Sequence, residues 1–200
     1  MNASTIATVR GVNVTEDAQN VVYWTAKGSI DADGANGQAG GPSAYREDNR
    51  GLDANANAGW PNQSWRNVLI DNGKGRPLSD GNGNWFSKTT YAWASRPVET
   101  RYVDSWSVPY VVINPIVRKR CRGIAIGAKA ILRYKGREVI AVCADVSGAD
   151  NIGEISIAAA KALGIPWNPR TGGVDSGVSV ELHAGVPAVI NGETYTLQRA

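Results

Sequence analysis

Two carboxylates nine residues apart carry the strongest chemical signal in this 200-residue chain. The run EVIAVCAD ends at Asp145, and after VSGADNIG comes Glu154. An apolar strand would deliver Asp145 to the edge of a core. A glycine-containing loop would turn the chain, and Glu154 would project from the first turn of the helix EISIAAAKALGI (154–165). Two carboxyl groups facing each other across a groove are what glycoside hydrolysis needs: one protonated to serve the leaving oxygen, one ionised to activate water or to attack. Burial after an apolar run would raise the Asp145 pKa. A helix N-terminus would favour the charged form of Glu154. That pairing makes Asp145 the acid and Glu154 the base. The plainer alternative is a turn-forming Asp and a Glu that merely complements a helix dipole.

Other chemistries lack their residues. One His, His183, and two cysteines, Cys121 and Cys143, give neither a Ser-His-Asp constellation nor a His/Cys zinc set. Cys143 sits in an apolar run and reads as a buried thiol. Asp31 and Asp33 can hold the amino groups of a cationic sugar, hold a cation, or simply form an Asx turn. No downstream Glu completes a calcium loop, so no metal or other cofactor is expected. Trp24, Trp60, Trp65, Trp85 and Tyr91 offer flat faces for sugar rings or packing for a core. The cluster Arg118, Lys119, Arg120 and Arg122 suits an anionic partner, or else a solvated loop or charge-blunted edge strand.

The elements that must position these groups are short. Twenty-three Gly and nine Pro point to a turn-rich, mainly β fold. Strands are expected over 108–117, interrupted by Pro115, and over 125–134, 138–145, 178–185 and 194–200. Lys135-Gly136-Arg137 joins two of them in a hairpin. Residues 34–44 and 71–84 read as loops. No repeat or linker appears, so 1–200 is expected to form one domain, with a peripheral segment at 1–20, a loop-rich first half and a barrel-rich half at 108–200. A net charge of +3 is too small for a nucleic-acid signature. No apolar run reaches the ~20 residues of a membrane span. The N-terminal MNASTIATVRG shows no signal peptide.

VCADVSGADNIGEISIAAAKALGIP (142–166), followed by Gly172-Gly173-Val174, resembles the signature region of glycoside hydrolase family 75, the chitosanases. Ile30-Asp31-Ala32-Asp33-Gly34 resembles the Asp-x-Asp-Gly of that family, with Ala32 where Cys is common. GLDANANAGWPNQSW (51–65), DNGKGRP (71–77), SKTTY (87–91) and YVDSWSVPYVVINP (102–115) resemble further segments, in order, so the likeness spans roughly 22–182. It implies that Asp145 and Glu154 are catalytic; Thr89, Thr90 and Tyr91, in a matching motif, are expected to line the groove, and Asp31, Asp33 and Trp24 are expected to bind substrate on the side-chain chemistry given above. It also implies endo-acting, inverting hydrolysis of chitosan, which would set the two carboxyl groups ~6.5–9.5 Å apart.

The helix Glu154-Ile155-Ser156-Ile157-Ala158-Ala159-Ala160-Lys161-Ala162-Leu163-Gly164 is similar to that of double-psi β-barrel proteins that cleave peptidoglycan. The expected fold is therefore a six-stranded double-psi β-barrel with one main α-helix and loop-rich N-terminal elaborations. A peptidoglycan-cleaving lysin or effector is the alternative function, and a non-catalytic polysaccharide-binding barrel the third. All three place a monomer outside the producing cell, on a polysaccharide, with no nucleic acid or membrane partner.

Overall fold

The computed structural model describes residues 3–199, so the expected strand at 194–200 and the segment 1–20 each extend past the described residues. In chain order, the first half contributes β1 (Ser4–Val9), β2 (Val12–Glu16), β3 (Val21–Asp31), β4 (Tyr45–Arg46) and β5 (Asn84–Trp85). The second half contributes β6 (Tyr110–Ile113), α1 (Pro115–Arg120), β7 (Ala128–Tyr134), β8 (Arg137–Val146), β9 (Glu154–Ser156), α2 (Ile157–Leu163), β10 (Val174–Ile190) and β11 (Glu193–Tyr195).

The fold is mainly β. Six strands close a barrel in the order β3-β9-β6-β8-β7-β10, with β10 pairing back onto β3. The β3–β9 and β6–β8 pairs are parallel and the other four antiparallel. Closure leaves these six strands no free edge over their paired lengths. Alternation builds the interior: in β7, Ala128, Ala130 and Leu132 point inward, and in β10 Val178, Val180 and Leu182 do the same. Between β7 and β8 the chain reverses through Lys135 and Gly136, both at positive φ, with Tyr134 paired to Arg137. That is the two-residue turn whose twist matches a hairpin.

Three expected elements differ in the structure. Pro115 does not interrupt a strand. The strand stops at Ile113, Asn114 caps α1 by accepting from Ile116 N at 2.9 Å, and Pro115 fills the first helical position, where its missing N–H costs nothing. The expected strand at 194–200 is only β11, which ends at Tyr195. Glu154 is not in the helix. It begins β9, paired with Ser29 of β3, and α2 starts three residues later behind Ser156, whose Oγ accepts from Ala159 N at 3.1 Å. Gly164 closes α2 in the left-handed conformation.

The N-terminal segment forms the β1–β2 hairpin alongside β3 and contributes Ala7, Val9 and Val14 to the core. Within 32–109, loops with the short strands β4 and β5 pack around a second buried cluster that includes Tyr45, Trp65, Leu69 and Trp85, while Tyr91 and Val103 join the barrel core. Of the basic cluster, Arg118, Lys119 and Arg120 occupy the last turn of α1, where cations complement the helix dipole. Arg122 instead grips the buried Glu16, through N to Oε1 and Nε to Oε2, both at 2.9 Å.

Candidate active site

The end of β3, the end of β8 and the start of β9 meet at one mouth of the barrel. β6 lies between the last two: Val112 pairs with Asp145, and Val111 with Ile155. This places Asp145 and Glu154 on the wall of a single cavity of about 300 Å³. Asp31, Asp33 and Asp53 line the same cavity, and among the described residues no Lys or Arg does.

The loop between Asp145 and Glu154 is fixed by Asn114. Its Nδ2 donates to the carbonyls of Ala149 and Asn151, both at 2.8 Å. Ser147 adds N–H to Ile113 O at 3.0 Å and Oγ to Asn151 O at 2.8 Å. At the other end Ser156 Oγ accepts from Tyr110 N at 2.9 Å and donates to Val108 O at 2.8 Å, which locks β9 beside β6. The two carboxylates are thus held by packed strands and a tied loop.

Asp145 is 8% exposed. Its Oδ1 accepts three hydrogen bonds, from Thr90 N (3.0 Å), Thr90 Oγ1 (2.7 Å) and Val146 N (2.7 Å), which leaves Oδ2 without a protein donor. Burial raises its pKa to about 6, against the pull of Thr90, Val146 and the Lys88 charge. Burial also raises Glu154, with the Asp145 charge adding to it and Lys27 opposing. Both carboxyl groups therefore sit above the ordinary range. The helix-dipole reason for a charged Glu154 does not apply, because Glu154 lies outside α2. Lys27 supplies that bias instead.

Asp31 and Asp33 are half-buried and joined by an Asx turn, with Asp33 N donating to Asp31 Oδ1 at 2.9 Å. The turn and the cavity lining coexist in the same two residues. One carboxylate oxygen from each of Asp31, Asp33 and Asp145 lies within 4.8 Å of the others. Like charges that close cannot all ionise cheaply. Burial first, then the neighbouring carboxylates, pushes Asp31 and Asp33 well above the usual range. The triad either carries protons or neutralises itself with a cation, from a sugar ammonium or a hard metal ion. A calcium ion would need several further oxygens beyond these three.

Two lining residues that the sequence did not single out complete the site. Tyr45, in β4, donates its hydroxyl to Asp33 Oδ1 at 2.8 Å and lies 3.5 Å from Asp53 Oδ2. Asp53 also accepts from Asn57 Nδ2 at 2.7 Å and from Ala54 N at 2.7 Å. Asp53 and Asn57 lie in the 51–65 segment quoted above, so position within that segment was the available signal.

The remaining expected site residues sit elsewhere. Trp24 is 4% exposed in the barrel core and does not line the acidic cavity. The β3 alternation gives it the same inward face as Val22 and Ala26. Tyr91 is fully buried against Trp93 and Tyr195. Thr89 Oγ1 is occupied within the backbone, donating to Tyr91 O and accepting from Val103 N. Of the three residues Thr89 to Tyr91, only Thr90 reaches the site, and it does so through Asp145. Trp60 stacks edge to face on both Trp65 and Trp85 in the loop-rich half, and none of the three lines the acidic cavity. Asp104 is a buried turn residue accepting from Trp106 N and Ser107 Oγ, and Asp150 is exposed on the loop.

Neither a scan against protein-family models nor a search of curated proteins finds a match to this chain. Among the described residues, no helix is long and apolar enough to cross a membrane.

Proposed function

We propose that this protein is an endo-acting glycoside hydrolase that cleaves β-1,4 links in chitosan, a partly deacetylated amino-sugar polymer, outside the cell that makes it. The observation that carries the reading is one cavity lined by five carboxyl groups and, among the described residues, no cationic side chain, with Asp145 poised at about 6. An acidic cavity favours a polymer that bears an ammonium on each deacetylated unit. The ordered resemblance of residues 22–182 to family 75 chitosanases supports the same substrate. The two parallel strand pairs inside an otherwise antiparallel closed barrel fit the double-psi plan of that reading.

In this mechanism Asp145 gives its proton to the glycosidic oxygen as the bond from that oxygen to the anomeric carbon breaks. Glu154 takes a proton from the water that attacks the anomeric carbon from the opposite face. The product is a new reducing end of inverted configuration. Asp145 leaves ionised and Glu154 protonated, and exchange with solvent resets both. Asp31, Asp33 and Asp53 receive the ammonium groups and set the register of the polymer. Thr90 holds the Asp145 carboxyl so that its free Oδ2 carries the proton.

A fall in chitosan viscosity that outpaces the appearance of reducing ends would support endo cleavage. Release of monomers from the chain end without early viscosity loss would contradict it. A cell-wall glycan is the second reading, favoured by an arginine-lined cavity beside the site.

A further inference from the structure

A second cavity, of about 500 Å³, lies on the other side of the 166–173 loop. Pro169 of that loop lines the acidic cavity, while Asn168 and Arg170 line this one. Arg170 also stitches the wall between them. Its Nη2 donates to the carbonyls of Asn49 (2.7 Å), Gly51 (3.2 Å) and Asp53 (2.9 Å). The acidic and basic cavities therefore share one partition, and Asp53 faces one side while Arg170 faces the other.

The lining carries three arginines, Arg46, Arg50 and Arg170. Arg46 is engaged by Asp48 and Asn84, so it contributes charge. Arg50 is exposed, and among the described residues its guanidinium has no hydrogen bond or ion pair. The acidic residue of the lining, Asp80, is occupied by the amides of Asn82 and Asn84. Trp167, 38% exposed, lines the same cavity and is held edge-on by Trp106 at 5.4 Å between ring centroids. A guanidinium fork recognises a carboxylate in a plane. Lys161 Nζ lies 4.8 Å from the Trp167 ring centroid, and the exposed part of this fixed indole offers an apolar surface of the kind a pyranose covers.

We propose that this cavity binds a carboxylate-bearing saccharide, with Arg50 on the carboxylate and Trp167 against the ring. Carboxylates line the cavity on one side of the 166–173 loop and arginines the cavity on the other. The site does not depend on the hydrolase reading.

Titration calorimetry on the full chain tests it, with N-acetylmuramic acid, glucuronic acid, glucosamine and inorganic phosphate as separate probes. The two carboxylated sugars are expected to bind, and Arg50→Ala is expected to weaken both at least ten-fold while leaving glucosamine unchanged. Trp167→Ala should weaken the sugars and not phosphate. The tighter of the two sugars identifies the source, a wall glycan or a uronate polymer. Arg50→Ala with undiminished binding overturns the proposal. So does phosphate binding as tightly as the sugars, or no binding of either sugar at millimolar concentration. Chitosan hydrolysis measured on the same variants reads the first proposal separately, because Arg50 and Trp167 do not line the acidic cavity.

Discussion

Thr90 donates to the same carboxylate oxygen of Asp145 twice, from its backbone N at 3.0 Å and its hydroxyl at 2.7 Å. These bonds stabilise the ionised form and hold the pKa down against burial. Thr90→Val keeps the shape and the backbone donor but deletes the hydroxyl. A hydrogen bond to a charged group contributes about 1.5–3 kcal/mol, so the Asp145 pKa should rise by about one unit or more. The alkaline limb of the pH–rate profile, near 6 in the wild type, should move up by that amount. An unmoved limb would mean that Asp145 is not the acid.

Asp145→Asn separates stability from activity. The folded pKa of about 6 lies above the 3.8 of an ordinary solvated aspartate, so the native state binds this proton more readily than the unfolded chain. The sign is therefore a loss of stability as pH rises from about 4 to about 6, amounting to about 3 kcal/mol by neutral pH. Asn keeps an oxygen for the three donors and removes the charge. The variant should melt higher than wild type at pH 7, with the difference closing towards pH 4, and should be inactive. Equal melting of the two at pH 7 would show that burial does not penalise this charge.

How far the sequence foretold this arrangement can be seen residue by residue. An apolar run ending in Asp placed Asp145 correctly at a strand end, because burial periodicity is a local signal. Glu154 was legible as a site residue but not as a strand residue. The three residues Glu154–Ser156 read like a first helical turn, and only their pairing with Ser29, Ile30 and Asp31 of a distant strand makes them β. Pro115 reads as a strand defect from its apolar surroundings, but Asn-Pro is also a helix start, and here Asn114 caps α1. Tyr45 carries no local signal and Asp53 only its place in the 51–65 segment, since both reach the cavity by long-range loop packing. Trp24 was placed by its chemical type, when the alternation of β3 already put it inside.

Tyr45 and the Asp31–Asp33 pair predict a proton signature of binding. Burial and the neighbouring carboxylates raise these carboxyl groups well above the usual range, so they hold protons more tightly than ordinary aspartates when free. An ammonium arriving beside them favours the charged form and expels protons. Calorimetric titration of glucosamine oligomers into Glu154→Gln, in buffers of different ionisation enthalpy, should show net proton release. Tyr45→Phe removes the 2.8 Å donor to Asp33, raises its pKa further and should weaken binding several-fold while increasing the protons released. Proton uptake on binding would contradict an ammonium site here.

The central claim is that Asp145 and Glu154 hydrolyse an amino-sugar backbone. Reducing ends released from chitosan and from purified peptidoglycan, by wild type and by Glu154→Gln, test it most directly. The account predicts release from chitosan by the wild type and a loss of at least a hundred-fold in Glu154→Gln, with the melting temperature kept. Activity on peptidoglycan alone would move the substrate to the second reading. Wild-type rates in Glu154→Gln, or no release from either polymer, would contradict the account.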